Sequence, residues 1–314
     1  MSIVLPTLNQ IAFLFGFITI GYIIMKLGVI PKNAAESLSK LENVIFIPAL
    51  VMGTFIDNFT VERIRSAWKL LAVSFLIAFV AIPVAILISR LVTKDKYIQK
   101  IYTYGLSFSN FGFMGNAVVS SLFPEIFFEY LIFTVPLWTL IYLWGVPRLL
   151  IADPNKKQSI IENLKSFINP MFIGMFIGML IGILNIKLPV FLTTIISVSG
   201  DCMSPIAMLL TGMVVSAVSL KQIFFNYRIY IISLIRLLVF PLVFVLLSNY
   251  INLPRTIYLC ALCSLAMPLG LNTIVIPSAY GKDTTVASGM TVISHMMSCI
   301  TIPFVFMLSN LCNC

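Results

Sequence analysis

Charge is scarce in this chain of 314 residues, and negative charge is scarcest: Asp and Glu number 11 against 20 Lys and Arg. With 60% hydrophobic residues, 10% charged residues and a mean hydropathy of +1.06, no soluble domain of this size could hide its apolar surface. The composition excludes a water-soluble enzyme and defines an all-α polytopic membrane protein with the lipid bilayer as solvent. No polar block is long enough to form a separate soluble domain. The formal charge of +9 does not mark a nucleic-acid binder, because the basic residues fall in short loops between apolar runs. Histidine occurs once, at His295. A His-Glu-x-x-His pair, a Gly-x-Gly-Asp acid motif and an aspartate-rich phosphate site are all missing, which weighs against a membrane-embedded enzyme. Rings of charge and a repeated filter sequence are missing too, which weighs against an anion channel. Of the six cysteines, Cys260 and Cys263 lie three apart with no second pair or histidine near them in sequence. Neither zinc nor any cofactor is expected, nor a structural disulfide between Cys312 and Cys314. The first residues, Met1 to Asn9, carry no basic side chain, and no Ala-x-Ala-like site follows. The first apolar run therefore reads as a retained span, not a signal peptide.

Ten apolar runs are present, at roughly 3–27, 35–55, 68–91, 101–122, 130–151, 168–186, 190–218, 229–247, 257–280 and 286–308. With an external N-terminus, the internal loops hold fourteen Lys and Arg and the external side five, Arg236 lying inside a span. That imbalance predicts both termini outside.

The run around Leu262-Cys-Ser-Leu-Ala-Met-Pro-Leu-Gly-Leu-Asn-Thr-Ile-Val-Ile-Pro is apolar enough for a bilayer, yet Pro268 and Gly270 interrupt it. Pro268 removes a backbone donor and Gly270 weakens the helix further. Asn272 and Thr273 follow at once. Broken backbone in hydrocarbon is tolerated only inside protein or beside a watery cavity, and such a helix is the usual site of a secondary transporter. The alternative is a proline kink that only shapes packing.

A second interrupted run, Ser107-Phe-Ser-Asn-Phe-Gly-Phe-Met-Gly-Asn, occupies the corresponding place in the first half. The halves echo each other elsewhere. Glu42-Asn43, Pro48 and Gly53 in run two match Gly200-Asp201, Pro205 and Gly212 in run seven, and Pro83 in run three matches Pro241 in run eight. Five spans per half is odd, so the halves, 1–152 and 153–314, would have opposite orientations. Paired interrupted segments at matching places point to a transport site.

These residues resemble the auxin efflux carrier family in its short bacterial form, similar to malate and malonate permeases. The resemblance is carried by Ser109-Asn110 and Gly115 in run four, by Ala266-Met267-Pro268, Asn272 and Ala279-Tyr280-Gly281, and by Ile300-Thr-Ile-Pro303 in run ten. It implies ten transmembrane helices in two inverted five-helix repeats, with broken helices four and nine crossing, as in the bile acid–sodium symporter-like fold. It also implies a scaffold of spans one, two, six and seven beside a moving transport domain, a possible homodimer, and a bacterial inner membrane location. The family usually has a proline where this chain has Ala117, so span nine is expected to be the better-defined break, with Gly112, Gly115 and Asn116 loosening span four.

The residues themselves point to the substrate class. Half-helix N-termini favour a carboxylate, and Asn110, Asn116, Asn272 and Thr273 add polar groups without fixed charge. Neither broken segment contains Asp or Glu, which disfavours a cation substrate or a strongly acidic sodium cage. The candidate substrate-binding residues are Asn110, Gly115, Asn116, Pro268, Gly270, Asn272 and Thr273. Asp201, Arg236 and His295 are ionisable groups within other spans, and hence candidates for coupling to protons or sodium. His295 reads equally well as a neutral packing residue, and each Asn as a helix–helix contact. The sequence expectation is a carrier of a small organic anion.

Overall fold

The computed structural model describes residues 4–31, 33–59, 61–151, 169–216, 226–251, 253–279 and 282–312. These residues are helical nearly throughout, and among them no β-strand forms. In chain order the helices are α1 (Val4–Lys26), α2 (Ala34–Asn58), α3 (Val61–Val92), α4 (Lys96–Ser107), α5 (Phe111–Leu122), α6 (Pro124–Leu150), α7 (Pro170–Leu184), α8 (Val190–Ser216), α9 (Tyr227–Ser248), α10 (Arg255–Ala266), α11 (Asn272–Ala279) and α12 (Thr285–Cys312). Six helices among the described residues are long and apolar enough to cross a membrane, and the chain adds shorter apolar helices, α5, α7 and α10 among them. Runs four and nine are each two half-length helices, α4 with α5 and α10 with α11. The boundary between residues 152 and 153, Tyr280 and Gly281, Cys314, and the loop lysines Lys32, Lys156, Lys157, Lys165 and Lys221 lie outside the described residues.

The exterior is what a bilayer demands. Phe79 is 78% exposed and Val190 81%, alongside Leu91, Leu180, Leu246 and Ile300. Such side chains gain nothing from water and match hydrocarbon.

Helix packing separates into two groups. In the first, α1 lies along α8, and α2 lies against α7 and α8. Close approach is what glycine supplies where no hydrophobic force separates helix from lipid. Gly174, Gly178 and Gly182 recur every fourth residue on α7. A Cβ at those positions would stand 2.8, 2.6 and 2.8 Å from the carbonyl oxygens of Pro48, Met52 and Phe55 on α2. Gly21 and Gly212 do the same for α1 and α8, against the Leu209 and Ile18 carbonyls. In the second group α3 packs on α4 and α6, while α9 packs on α10 and α12. The groups meet where α1 and α8 face α5 and α12.

Candidate functional site at the crossing of two broken helices

The second group contains the two interruptions, and they touch. α4 ends at Ser107, after which Phe108 is extended (φ −124°, ψ 108°) and Asn110 bends the chain into α5 (φ −79°, ψ 43°). α10 ends at Ala266, with Met267 extended (φ −72°, ψ 148°), and α11 resumes at Asn272. Ser109 and Leu269 form an isolated antiparallel bridge where the two unwound stretches pass. Gly270 makes that approach possible, because a Cβ there would lie 3.2 Å from Ser109 O and 3.5 Å from Phe108 O.

The hydrogen bonds account for the unwinding. In an unbroken helix the N–H of Asn110 would reach Leu106 O, and that of residue 268 would reach Ser264 O. Asn110 N–H donates instead to Pro268 O at 2.7 Å, and the Pro268 ring has no N–H to donate. One side chain takes both released carbonyls. Arg236 Nη1 donates to Leu106 O at 2.9 Å and Nη2 to Ser264 O at 3.0 Å. Ser109 Oγ adds a second bond to Ser264 O at 2.7 Å, and Leu269 N–H donates to Ser294 Oγ at 3.2 Å.

Among the predicted substrate residues, Asn110, Pro268, Gly270, Asn272 and Thr273 are brought to this crossing. Asn110 is buried. Its Nδ2 lies 3.1 Å from His295 Nε2, and its Oδ1 has no hydrogen-bond partner. Asn272 is half-buried, with Nδ2 3.4 Å from the Tyr104 hydroxyl. Thr273 is buried and turns its hydroxyl back onto Gly270 O at 2.7 Å. Asn116 and Gly115 stand further along α5. Asn116 is buried with Oδ1 unpartnered. At Gly115 a Cβ would collide with the hydroxyl of Tyr130, which donates to Phe111 O at 3.0 Å. The local reading of run four needs correction here. Gly112 and Gly115 lie in a wide, five-residue-repeat turn of α5 and Asn116 in regular helix, whereas the unwound residues are Phe108 to Asn110. The break in run four is as definite as that in run nine, although Ala117 sits in ordinary helix.

The three ionisable residues separate. His295 is at the crossing. Its Nδ1 faces the Thr291 carbonyl at 2.8 Å and must carry the proton of that bond. Nε2 is then free to accept from the Asn110 amide, so both bonds suit the neutral ring. Arg236 is 2% exposed and neither snorkels nor pairs with a carboxylate among the described residues. Asp201 is exposed and stands apart from the crossing. It lines a cavity of ≈420 Å³ between the two helix groups, with Phe13, Ala117, Ser120, Ser121 and Ser204.

The sequence reading passed over Ser264, Ser294 and Tyr104, three residues of α10, α12 and α4 that no local signal singles out. It also gave Glu42 no role. Glu42 is fully buried in α2, in the other helix group, and both of its carboxylate oxygens lack a hydrogen-bond partner.

The crossing is polar without fixed negative charge. The first turn of α5, residues 111–114, presents N–H groups with no partner inside the helix, at the positive end of its dipole. Asn110 and Asn272 flank the breaks, and neither unwound stretch contains a carboxylate.

A buried crossing of two interrupted helices, in an envelope of lipid-facing apolar side chains, defines an integral membrane protein with a polar centre. The family model for membrane transport proteins, the auxin efflux carrier family, matches residues 6–306, and the chain belongs to that family of transporters. A comparison with curated proteins finds no match.

Proposed function

We propose that the protein is a secondary carrier for a small organic anion, a carboxylate, which binds at the crossing and is exposed to each side in turn. The observation that carries this reading is the buried meeting of the two breaks. It gathers a half-helix N-terminus and two uncharged amide side chains, Asn110 and Asn272, around backbone that hydrocarbon alone would not tolerate.

Two inverted five-helix repeats are supported by matched packing. The pair α1 and α8 corresponds to α7 and α2, and the pair α3 and α6 corresponds to α9 and α12. The released carbonyls correspond as well, Leu106 four residues before Asn110 and Ser264 four before Pro268. The glycine-locked group of α1, α2, α7 and α8 is the scaffold, and the group holding the crossing is the part that moves, in the manner of an elevator. Both termini lie on the side of the membrane away from the cytoplasm, on the fourteen-to-five charge imbalance, and the membrane is a bacterial inner membrane. His295 is the candidate proton carrier. On protonation its Nε2 becomes a donor, and the Asn110 amide must turn to offer Oδ1, which joins the proton to the substrate site.

The test is counterflow in proteoliposomes, screening labelled dicarboxylates, short monocarboxylates and indole acids. Exchange of one of these against its unlabelled form supports an alternating site. Net flux without exchange would make the protein a channel, and chemical turnover of the added compound would make it an enzyme.

A further inference from the structure

Arg236 has an unusual setting for a membrane-buried charge: the residue is 2% exposed and makes no ion pair among the described residues. An isolated buried cation is costly enough that a compensating negative charge must be sought. Two helix C-termini supply it. Leu106 O belongs to the last turn of α4 and Ser264 O to the last turn of α10, and Arg236 donates to both at 2.9 and 3.0 Å. A helix C-terminus carries roughly half a negative elementary charge, so two that converge offset about one positive charge. A ring contact completes the setting, with the guanidinium 5.8 Å from the centre of Phe240.

Two converging half-helix C-termini also form the place where a free cation is held in carriers with broken helices. Here that place is filled. The cavity bordered by Arg236, Ser107, Ser109 and Ser264 measures ≈10 Å³, which is room for about one water and no hydrated ion. Arg236 Nε and Ser107 Oγ, the two buried polar atoms there without a protein partner, are both suited to such a water.

We propose that Arg236 is a tethered cation of the crossing: its side chain permanently occupies the position that a coupling ion such as sodium would take between the C-termini of α4 and α10. For transport the inference rests on the carrier reading. The carrier then needs no sodium at this position, and the guanidinium accompanies the crossing through every cycle. Arg236 is a positioning residue that acts through the two breaks, not a ligand of the substrate.

The test uses the full-length purified chain and two readouts. In the first, thermal unfolding in detergent, wild type should show the same Tm in sodium chloride and in choline chloride of equal ionic strength. Arg236→Gly should unfold lower by about 4 °C or more, and millimolar guanidinium should restore part of that loss where choline does not. Arg236→Lys should lie closer to wild type than the uncharged Arg236→Met does. In the second readout, counterflow of whichever carboxylate exchanges, wild type should be independent of sodium, and Arg236→Gly should be inactive until guanidinium or sodium is added. A wild-type protein whose Tm or counterflow depends on sodium would overturn the proposal. So would Arg236→Met with the stability and counterflow of wild type. If Arg236→Gly does not fold, wild type, Arg236→Lys and Arg236→Met still decide the question. If no carboxylate exchanges, the carrier reading fails while the thermal readout still tests the tethered cation.

Discussion

The breaks after α4 and after α10 reach similar unwound backbone by different chemistry. After α10 the interruption is local: Pro268 has no N–H, so Ser264 O loses its helical donor whatever surrounds it. After α4 nothing local prevents a continuous helix. Asn110 has an N–H, and the break exists because that N–H finds Pro268 O at 2.7 Å in the other half of the chain. One break is thus written in covalent structure and the other is held by a hydrogen bond to it. Arg236 holds the pair together, since a single guanidinium satisfies the carbonyl released on each side. The first break thus rests on the residue 268 carbonyl and not on a proline of its own, which explains why Ala117 causes no loss of it.

Changes that separate the two breaks should be the most damaging. Gly270→Val adds branched bulk where even a Cβ would meet Ser109 O at 3.2 Å. Forcing the unwound segments apart should cost about 1–3 kcal/mol and reduce counterflow tenfold or more at matched protein levels. Retained wild-type rates would mean that the crossing tolerates separation. Pro268→Ala comes next. The new N–H competes for Ser264 O, while the residue 268 carbonyl still receives Asn110, so the second break should tighten and the first persist. A several-fold loss of counterflow affinity is expected, smaller than for Gly270→Val, and the reverse order would place the determinant in the proline ring. For coupling, His295→Gln should flatten the response of uptake to an imposed pH gradient while leaving counterflow at uniform pH measurable. Glu42→Gln and Asp201→Asn, in the other helix group, should keep the wild-type slope. Flattening in Glu42→Gln alone would move the proton to that buried carboxylate. Ala117→Pro should have the smallest effect. In the wide turn that precedes it Phe113 O already accepts from Asn116 N–H, so the proline displaces less than in a regular helix. Counterflow within about twofold of wild type is expected, and loss of activity would show that α5 depends on an unbroken ladder beyond its first turn.

The two breaks also explain what could be read from sequence. Pro268, Gly270 and Asn272 fall within five residues, and the first two act on their own backbone, so their break was legible from local chemistry alone. In the first half, composition drew attention to Gly112, Gly115 and Asn116, but the chain unwinds at Phe108 to Asn110. The deciding partner, Pro268 O, is remote in sequence, and no window around Asn110 contains it. Arg236 was visible as a charge within an apolar run. Its two carbonyl acceptors were not, because backbone oxygens carry no residue signature. The echo proposed between the halves rests on glycine and proline recurring at matching places in the sequence. The close packing of α7 on α2 follows from the glycines of α7 once their contacts with α2 are known.

The central claim is that the substrate is held where the breaks meet. It is tested most directly by the substrate dependence of counterflow in proteoliposomes for Asn110→Ala and Asn272→Ala. Each change leaves the backbone crossing in place and removes one side-chain partner. A lost hydrogen bond of about 1–2 kcal/mol corresponds to roughly a five- to thirtyfold weaker apparent affinity. The account predicts that weakening in both variants, with undiminished insertion in the membrane. Wild-type affinity in both would contradict it and place the carboxylate elsewhere in the protein.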